Sequence, residues 1–185
     1  MKSGIAVFIL TLLYTGLAFA QPLQYRSEKG VSEITYKIVH PLHEVEAVSR
    51  DADCIIDADA SKKMISKVDV IVDVTTFDSG NSNRDSHAME VIDALSYPEA
   101  EFHSTDVTQE GDSVKVTGAL TFHGITKNIE LKGTTDWSAE NLTVSGKFNI
   151  SLTEFEVERP SLLLVPVEDT LRFTIRQQFN LSQHS

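Results

Sequence analysis

Apolar side chains recur at every second position through most of this chain. Ile34, Tyr36 and Ile38 alternate with polar neighbours, and Val68, Val70, Val72 and Val74 do so with Asp69 and Asp73 between them. Val114/Val116, Leu120/Phe122, Ile129/Leu131 and Leu142/Val144 repeat the pattern, and Leu171, Phe173, Ile175, Gln177, Phe179 and Leu181 extend it over eleven residues. Period two places one set of side chains on one face of a strand, so these runs read as strands with one buried face. Turn-forming clusters separate them: Asp78-Ser79-Gly80-Asn81, Glu110-Gly111-Asp112-Ser113, His123-Gly124 and Asp136 to Asn141. Strands at this spacing, with no alternating helices, point to an all-β antiparallel barrel or sandwich.

One stretch departs from the rhythm. Ala88, Met89, Ile92 and Leu95 lie at helical spacing, Asn81, Ser82 or Asn83 can cap the start, Asp85 sits in the first turn, and Pro98 follows the end. The spacing predicts one short helix near residues 82–96, placed to plug or flank a barrel opening. The outward positions carry Asp69, Asp73, Lys115, Lys132, Arg172 and Arg176. Lipid does not tolerate charge at mid-depth, so the polar face meets water and a membrane-spanning barrel is excluded.

The first residues are an address. Lys2 gives a positive start, Ile5 to Leu13 is a mostly apolar run, and Ala18-Phe19-Ala20 offers a small-x-small exit. This pattern predicts a signal peptide over residues 1–20, cleaved to leave a single domain over 21–185. An exported protein follows, with no integral membrane anchor. Sixteen Lys and Arg against 27 Asp and Glu give a net charge of −11, unsuited to nucleic acid, whose binding needs clustered cations. The one cysteine, Cys54, excludes an internal disulfide framework. Its short apolar run favours burial, although an odd thiol can also pair between chains. The oligomeric state stays open, a homodimer included.

Three motifs bring in a resemblance. Thr76-Phe77-Asp78-Ser79-Gly80-Asn81-Ser82-Asn83-Arg84-Asp85-Ser86-His87, followed by Tyr97-Pro98-Glu99-Ala100-Glu101-Phe102, resembles the central motif of the YceI-like family. Gly118-Ala119-Leu120-Thr121-Phe122-His123-Gly124-Ile125-Thr126-Lys127 is similar to that family's G-x-L-T-x-H-G-x-T-K segment. Glu158-Arg159-Pro160-Ser161-Leu162-Leu163, leading to Val167-Glu168-Asp169, is similar to the C-terminal stretch of one branch. Asn128 stands where many members have proline, and the Pro160 to Pro166 segment replaces the commonest C-terminal pattern. The resemblance implies a lipocalin-like antiparallel β-barrel of about eight strands, exported to the bacterial periplasm. It also implies a long-chain isoprenoid-type lipid held inside, with no shared catalytic activity and no cofactor.

The chain's own chemistry is compatible with that. A small barrel holds packed side chains or one slender ligand. Burying on the order of 400 Å² of ligand tail supplies roughly 10 kcal/mol gross at about 25 cal/mol per Å², partly offset by ordering the ligand. The face assignment makes Tyr36, Val70, Val72, Phe102, Leu120, Phe122, Phe148, Ile150, Phe173 and Ile175 the lining, with Met89 and Leu95 closing one end. Arg84 either pairs with a carboxylate across the barrel or, with His123, holds a ligand head group at the mouth. Two other functions compete: an enzyme or redox accessory using His87 or His123 with Arg84 on a bound quinone-like amphiphile, and a structural or stress-responsive domain with a filled barrel. His40-Pro41-Leu42-His43 with Glu44 and Glu46 is the most metal-like cluster. Residues i and i+3 leave opposite faces of a strand, so no metal is expected there.

Overall fold

The computed structural model describes residues 22–162 and 164–183. The expected signal peptide lies outside them. Strands dominate: β1 (Leu23–Arg26), β2 (Glu33–His40), β3 (His43–Ser49), β4 (Asp53–Asp59), β5 (Met64–Asp73), β6 (Glu99–Glu110), β7 (Ser113–Phe122), β8 (Ile125–Trp137), β9 (Asn141–Ser151) and β12 (Thr170–Asn180). They form one antiparallel sheet in the order β1-β4-β5-β6-β7-β8-β9-β12-β2-β3. A separate small hairpin pairs β10 (Ser161–Leu162) with β11 (Val165–Pro166). The helix α1 (Ser82–Val91) is the only α-helix among the described residues.

The sheet curls back on itself. β1 pairs with β4 and β2 with β3, so the first two strands and the next two form one long interrupted hairpin. A bridge between Ser27 and Phe179, with Glu28 N–H donating to the Gln178 carbonyl at 2.8 Å, ties the end of β1 to β12. Treating β1/β2 and β3/β4 as single interrupted strands, with β5, β6, β7, β8, β9 and β12, the ring has eight positions. That agrees with the expected lipocalin-like architecture.

The expected helix ends earlier than its apolar spacing. Asn81 Oδ1 accepts from the N–H groups of Asn83 and Arg84, fixing the start. At the other end Asp93 adopts φ 46°, Ala94 N–H reaches the Met89 carbonyl and Asp93 N–H the Glu90 carbonyl. These two bonds satisfy otherwise orphaned carbonyls and reverse the chain. Ala94 therefore turns inward, and Leu95, one residue later, is 99% exposed. The assignment of Leu95 as a closing residue is thus corrected: it lies past the reversal and points into solvent.

The two ends of the barrel are built differently. At the end away from α1, Tyr25, Ile56, Ala58, Ile65, Leu142 and Phe179 form a closed apolar floor, with Leu142 and Phe179 fully buried. The other end is the mouth. There α1, the β2–β3 turn, the β7–β8 turn and the segment after β9 converge. The β7–β8 turn has φ 50° at His123 and 73° at Gly124, between directly paired Phe122 and Ile125. Two successive positive φ values make the two-residue turn that suits strand twist. A Cβ on Gly124 would lie 2.5 Å from Tyr97, so the ring packs there only because the residue is glycine.

Candidate functional site

Between floor and mouth the barrel is hollow. The cavity has a volume of about 460 Å³, within the roughly 300–1,000 Å³ range of ligand pockets. It is lined by the inward-facing set of the period-two runs. Tyr36, Val70, Val72, Phe102, Leu120, Phe122, Phe148, Ile150, Phe173 and Ile175 all face it, as does Met89 from α1. The same alternation also delivers Ile34, Ile38, Val114, Val116, Ile129 and Leu131. Ala88 and Ile92, which share the helical spacing of Met89, also border the cavity from α1 and its cap; sequence reasoning missed Val91 beside them, and Val157 and Val167 from the segment after β9. Nothing periodic marks those last two. Phe148 and Phe173 stack at 4.7 Å with planes 6° apart, fixing part of the wall.

Polar groups gather at the mouth. Arg84 Nε donates to Ser79 Oγ at 2.8 Å and Nη2 to the Ser79 carbonyl at 2.8 Å. Asp85 accepts from Ser79 N–H at 3.2 Å and from its hydroxyl. Arg84 thus braces the loop before α1, where a carboxylate partner across the barrel was one expectation. Arg84 also borders the cavity, alongside His43 and His87. Tyr36 lies against Phe77, 5.3 Å between ring centroids. Burial, reinforced by the Asp85 charge, pushes its phenol up, keeping the hydroxyl protonated as a hydrogen-bond donor.

The histidines divide by position. His40 Nδ1 accepts from Leu42 N–H at 3.1 Å, so Nε2 carries the proton that reaches the Val165 carbonyl at 3.0 Å. Both nitrogens are thereby committed to holding the β2–β3 turn against the β10–β11 hairpin. Glu44 and Glu46 are drawn to Lys37. His123 does not border the cavity. Its Nδ1 bonds the Phe155 carbonyl at 2.9 Å and its ring packs on the edge of Tyr97 at 4.9 Å. As a head-group candidate His123 is therefore corrected: the two-residue turn carries its side chain outside the wall. Cys54 is buried against the floor, and burial pushes its thiol up to about 12. Among the described residues no helix is long and apolar enough to cross a membrane.

Known proteins share this architecture. The YceI-like domain matches residues 25–179. A UPF0312 protein from Pseudomonas syringae pv. tomato is 29% identical over 187 residues, covering 95% of each chain. One from Vibrio campbellii is 40% identical over 101 residues, about half of this chain and 53% of that relative. Among solved structures, BcnA from Burkholderia cenocepacia superposes with a TM-score of 0.74 at 20% identity, covering 82% of this chain and 98% of its own. A polyisoprenoid binding domain from Saccharophagus degradans does so with a TM-score of 0.68 at 12% identity, covering 85% and 98%.

Proposed function

The chain belongs to the YceI-like domain family, and from that premise we propose that it binds a long-chain amphiphilic lipid, a polyisoprenoid, and carries or sequesters it without catalysing a reaction. The observation that carries this reading is the 460 Å³ cavity, floored, walled and partly covered by aliphatic and aromatic side chains. An unbranched polar or charged ligand would leave its own groups unpaired there, whereas a prenyl chain contributes apolar area alone. The relation to a polyisoprenoid binding domain supports the same class of ligand.

The polar end of the ligand stays in the mouth half, the half that also holds Arg84 and Tyr36. Export to the periplasm follows from the signal-like residues 1–20 and places the carrier where such lipids must cross water between membranes. The test is uptake. Purified protein titrated with a fluorescent prenyl alcohol should bind one equivalent and release it to an unlabelled polyprenol. No saturable binding of either would sink the reading.

A further inference from the structure

The barrel wall is split along part of one seam. Lys132 and Lys147 are the last residues at which β8 and β9 face each other in register. Towards the mouth from that pair, β8 is bonded to β7 alone, from Leu131↔Val116 to Ile125↔Phe122. Over the same height β9 is bonded to β12 alone, from Phe148↔Phe173 to Ser151↔Thr170. Just below the split the two strands lie close together. A Cβ on Gly133 would lie 2.3 Å from the Ser145 carbonyl oxygen, so glycine permits the contact. Past Lys132 and Lys147 the two strands no longer pair.

The mouth end of this split is roofed. After β9 the chain turns through Thr153–Phe155, where the Phe155 ring meets Phe122 at 5.7 Å and the Phe155 carbonyl takes the hydrogen bond from His123. The result is a framed opening, with Ile129 and Leu131 on one side and Phe148 and Ile150 on the other. All four also line the cavity.

One residue on this frame breaks the alternation. Lys127 sits between Ile125 and Ile129 and directly opposite Leu120, in the inner-face register of β8, yet it does not border the cavity and stands at the rim of the split. It is exposed and, among the described residues, has neither a carboxylate nor a hydrogen-bond partner. Lys147 is equally free, while Lys132 is held by Glu130 at 3.1 Å. A chain of net charge −11 therefore gathers cations around an opening into an apolar cavity.

We propose that the split between β8 and β9 is a lateral portal to the cavity, at which Lys127 holds the phosphate-bearing head group of an amphiphile whose chain lies inside. The inference rests on the lipid-binding reading above and specifies the head group. A lysine ammonium binds phosphate as a point charge.

Farnesyl phosphate and farnesol serve as probes, competed against a fluorescent prenyl alcohol at low salt. Lys127→Gln weakens farnesyl phosphate about fivefold and leaves farnesol unchanged, while Lys127→Arg keeps the phosphate affinity. Equal phosphate affinity in Lys127→Gln and the native protein, or an equal loss for both probes, overturns the head-group assignment and leaves the lipid-binding reading standing. Failure of the native protein to bind farnesol overturns both. For the portal itself, Ile129→Cys carrying a bulky maleimide slows farnesol association about tenfold, whereas the same label on Thr108→Cys, outside the β6 wall, does not. An unaltered rate with the Ile129 label overturns the portal.

Discussion

His123 bonds the backbone carbonyl of Phe155, thirty-two residues later in the chain, at 2.9 Å. This one contact fastens the segment after β9 to the β7–β8 turn and so closes the mouth end of the gap between β8 and β9. Replacing His123 with alanine should cost about 1–2 kcal/mol. It removes the hydrogen bond, leaves the Phe155 carbonyl without its partner, and keeps a non-glycine residue at φ 50°. The urea midpoint checks this. An unchanged midpoint, with lost ligand affinity, would instead support the head-group role that the motif suggested.

Floor and lining should answer substitution differently. Phe179 is fully buried in the floor, so Phe179→Ala should destabilise by about 3–5 kcal/mol through lost burial and a new void. Val70 borders empty space, so Val70→Phe should change stability by less than about 1 kcal/mol while reducing prenyl-chain affinity. Denaturation and titration of both variants separate the two. A large stability loss in Val70→Phe would mean that the barrel is filled.

A surface pair sets a small pH dependence. His103 and Asp69 lie directly opposite on β6 and β5, with His103 Nδ1 2.9 Å from Asp69 Oδ1. The Asp69 hydrogen bond raises the imidazole above its ordinary 6.5, against a smaller desolvation effect, with Glu101 adding to the rise. Desolvation pushes the Asp69 carboxyl up, but its bonds to Lys67 and His103 together hold it below 3.8. The histidine contribution is full below pH 6.5 and is lost as pH rises through its raised folded value. The aspartate contribution is present above pH 3.8 and is lost as pH falls through its lowered one. Because the histidine side chain is 53% exposed, screening keeps the pair near ~0.5 kcal/mol or less. The decline in urea midpoint from pH 6 to pH 8.5 should flatten in His103→Gln. An identical slope in both proteins would contradict the pairing.

Cys54 should be chemically silent in the folded protein. Its thiol is buried and held protonated near 12, and thiolate is the reactive form. A thiol reagent should label it only at the rate of unfolding. Fast stoichiometric labelling of native protein, or a disulfide-linked dimer, would contradict that placement.

Much of the architecture is legible in the chain because strand alternation is a local signal. Val68 to Val74 and Leu120/Phe122 show which face is apolar, and those residues do line the cavity. Strand partnership is non-local and escapes that reading. Ile129/Leu131 and Phe148/Ile150 alternate as regularly as any paired strands, yet β8 and β9 part beside them. Only Lys127, a charged residue in the register of the apolar set, breaks the pattern at that seam. Leu95 misled for a related reason. Apolar spacing continued through a chain reversal made at Asp93, a non-glycine residue that carries no strong stop signal. His123-Gly124 is conspicuous because its turn needs two positive φ values, which is a structural demand and not a chemical one.

The central claim is that the cavity holds a prenyl lipid, and native mass spectrometry of protein exported to and purified from a bacterial periplasm tests it most directly. The account predicts a bound species with the mass of a polyisoprenoid, one per chain, extractable into organic solvent and diminished in Val70→Phe. Protein of bare polypeptide mass, unable to take up added polyprenol or its phosphate, would contradict it.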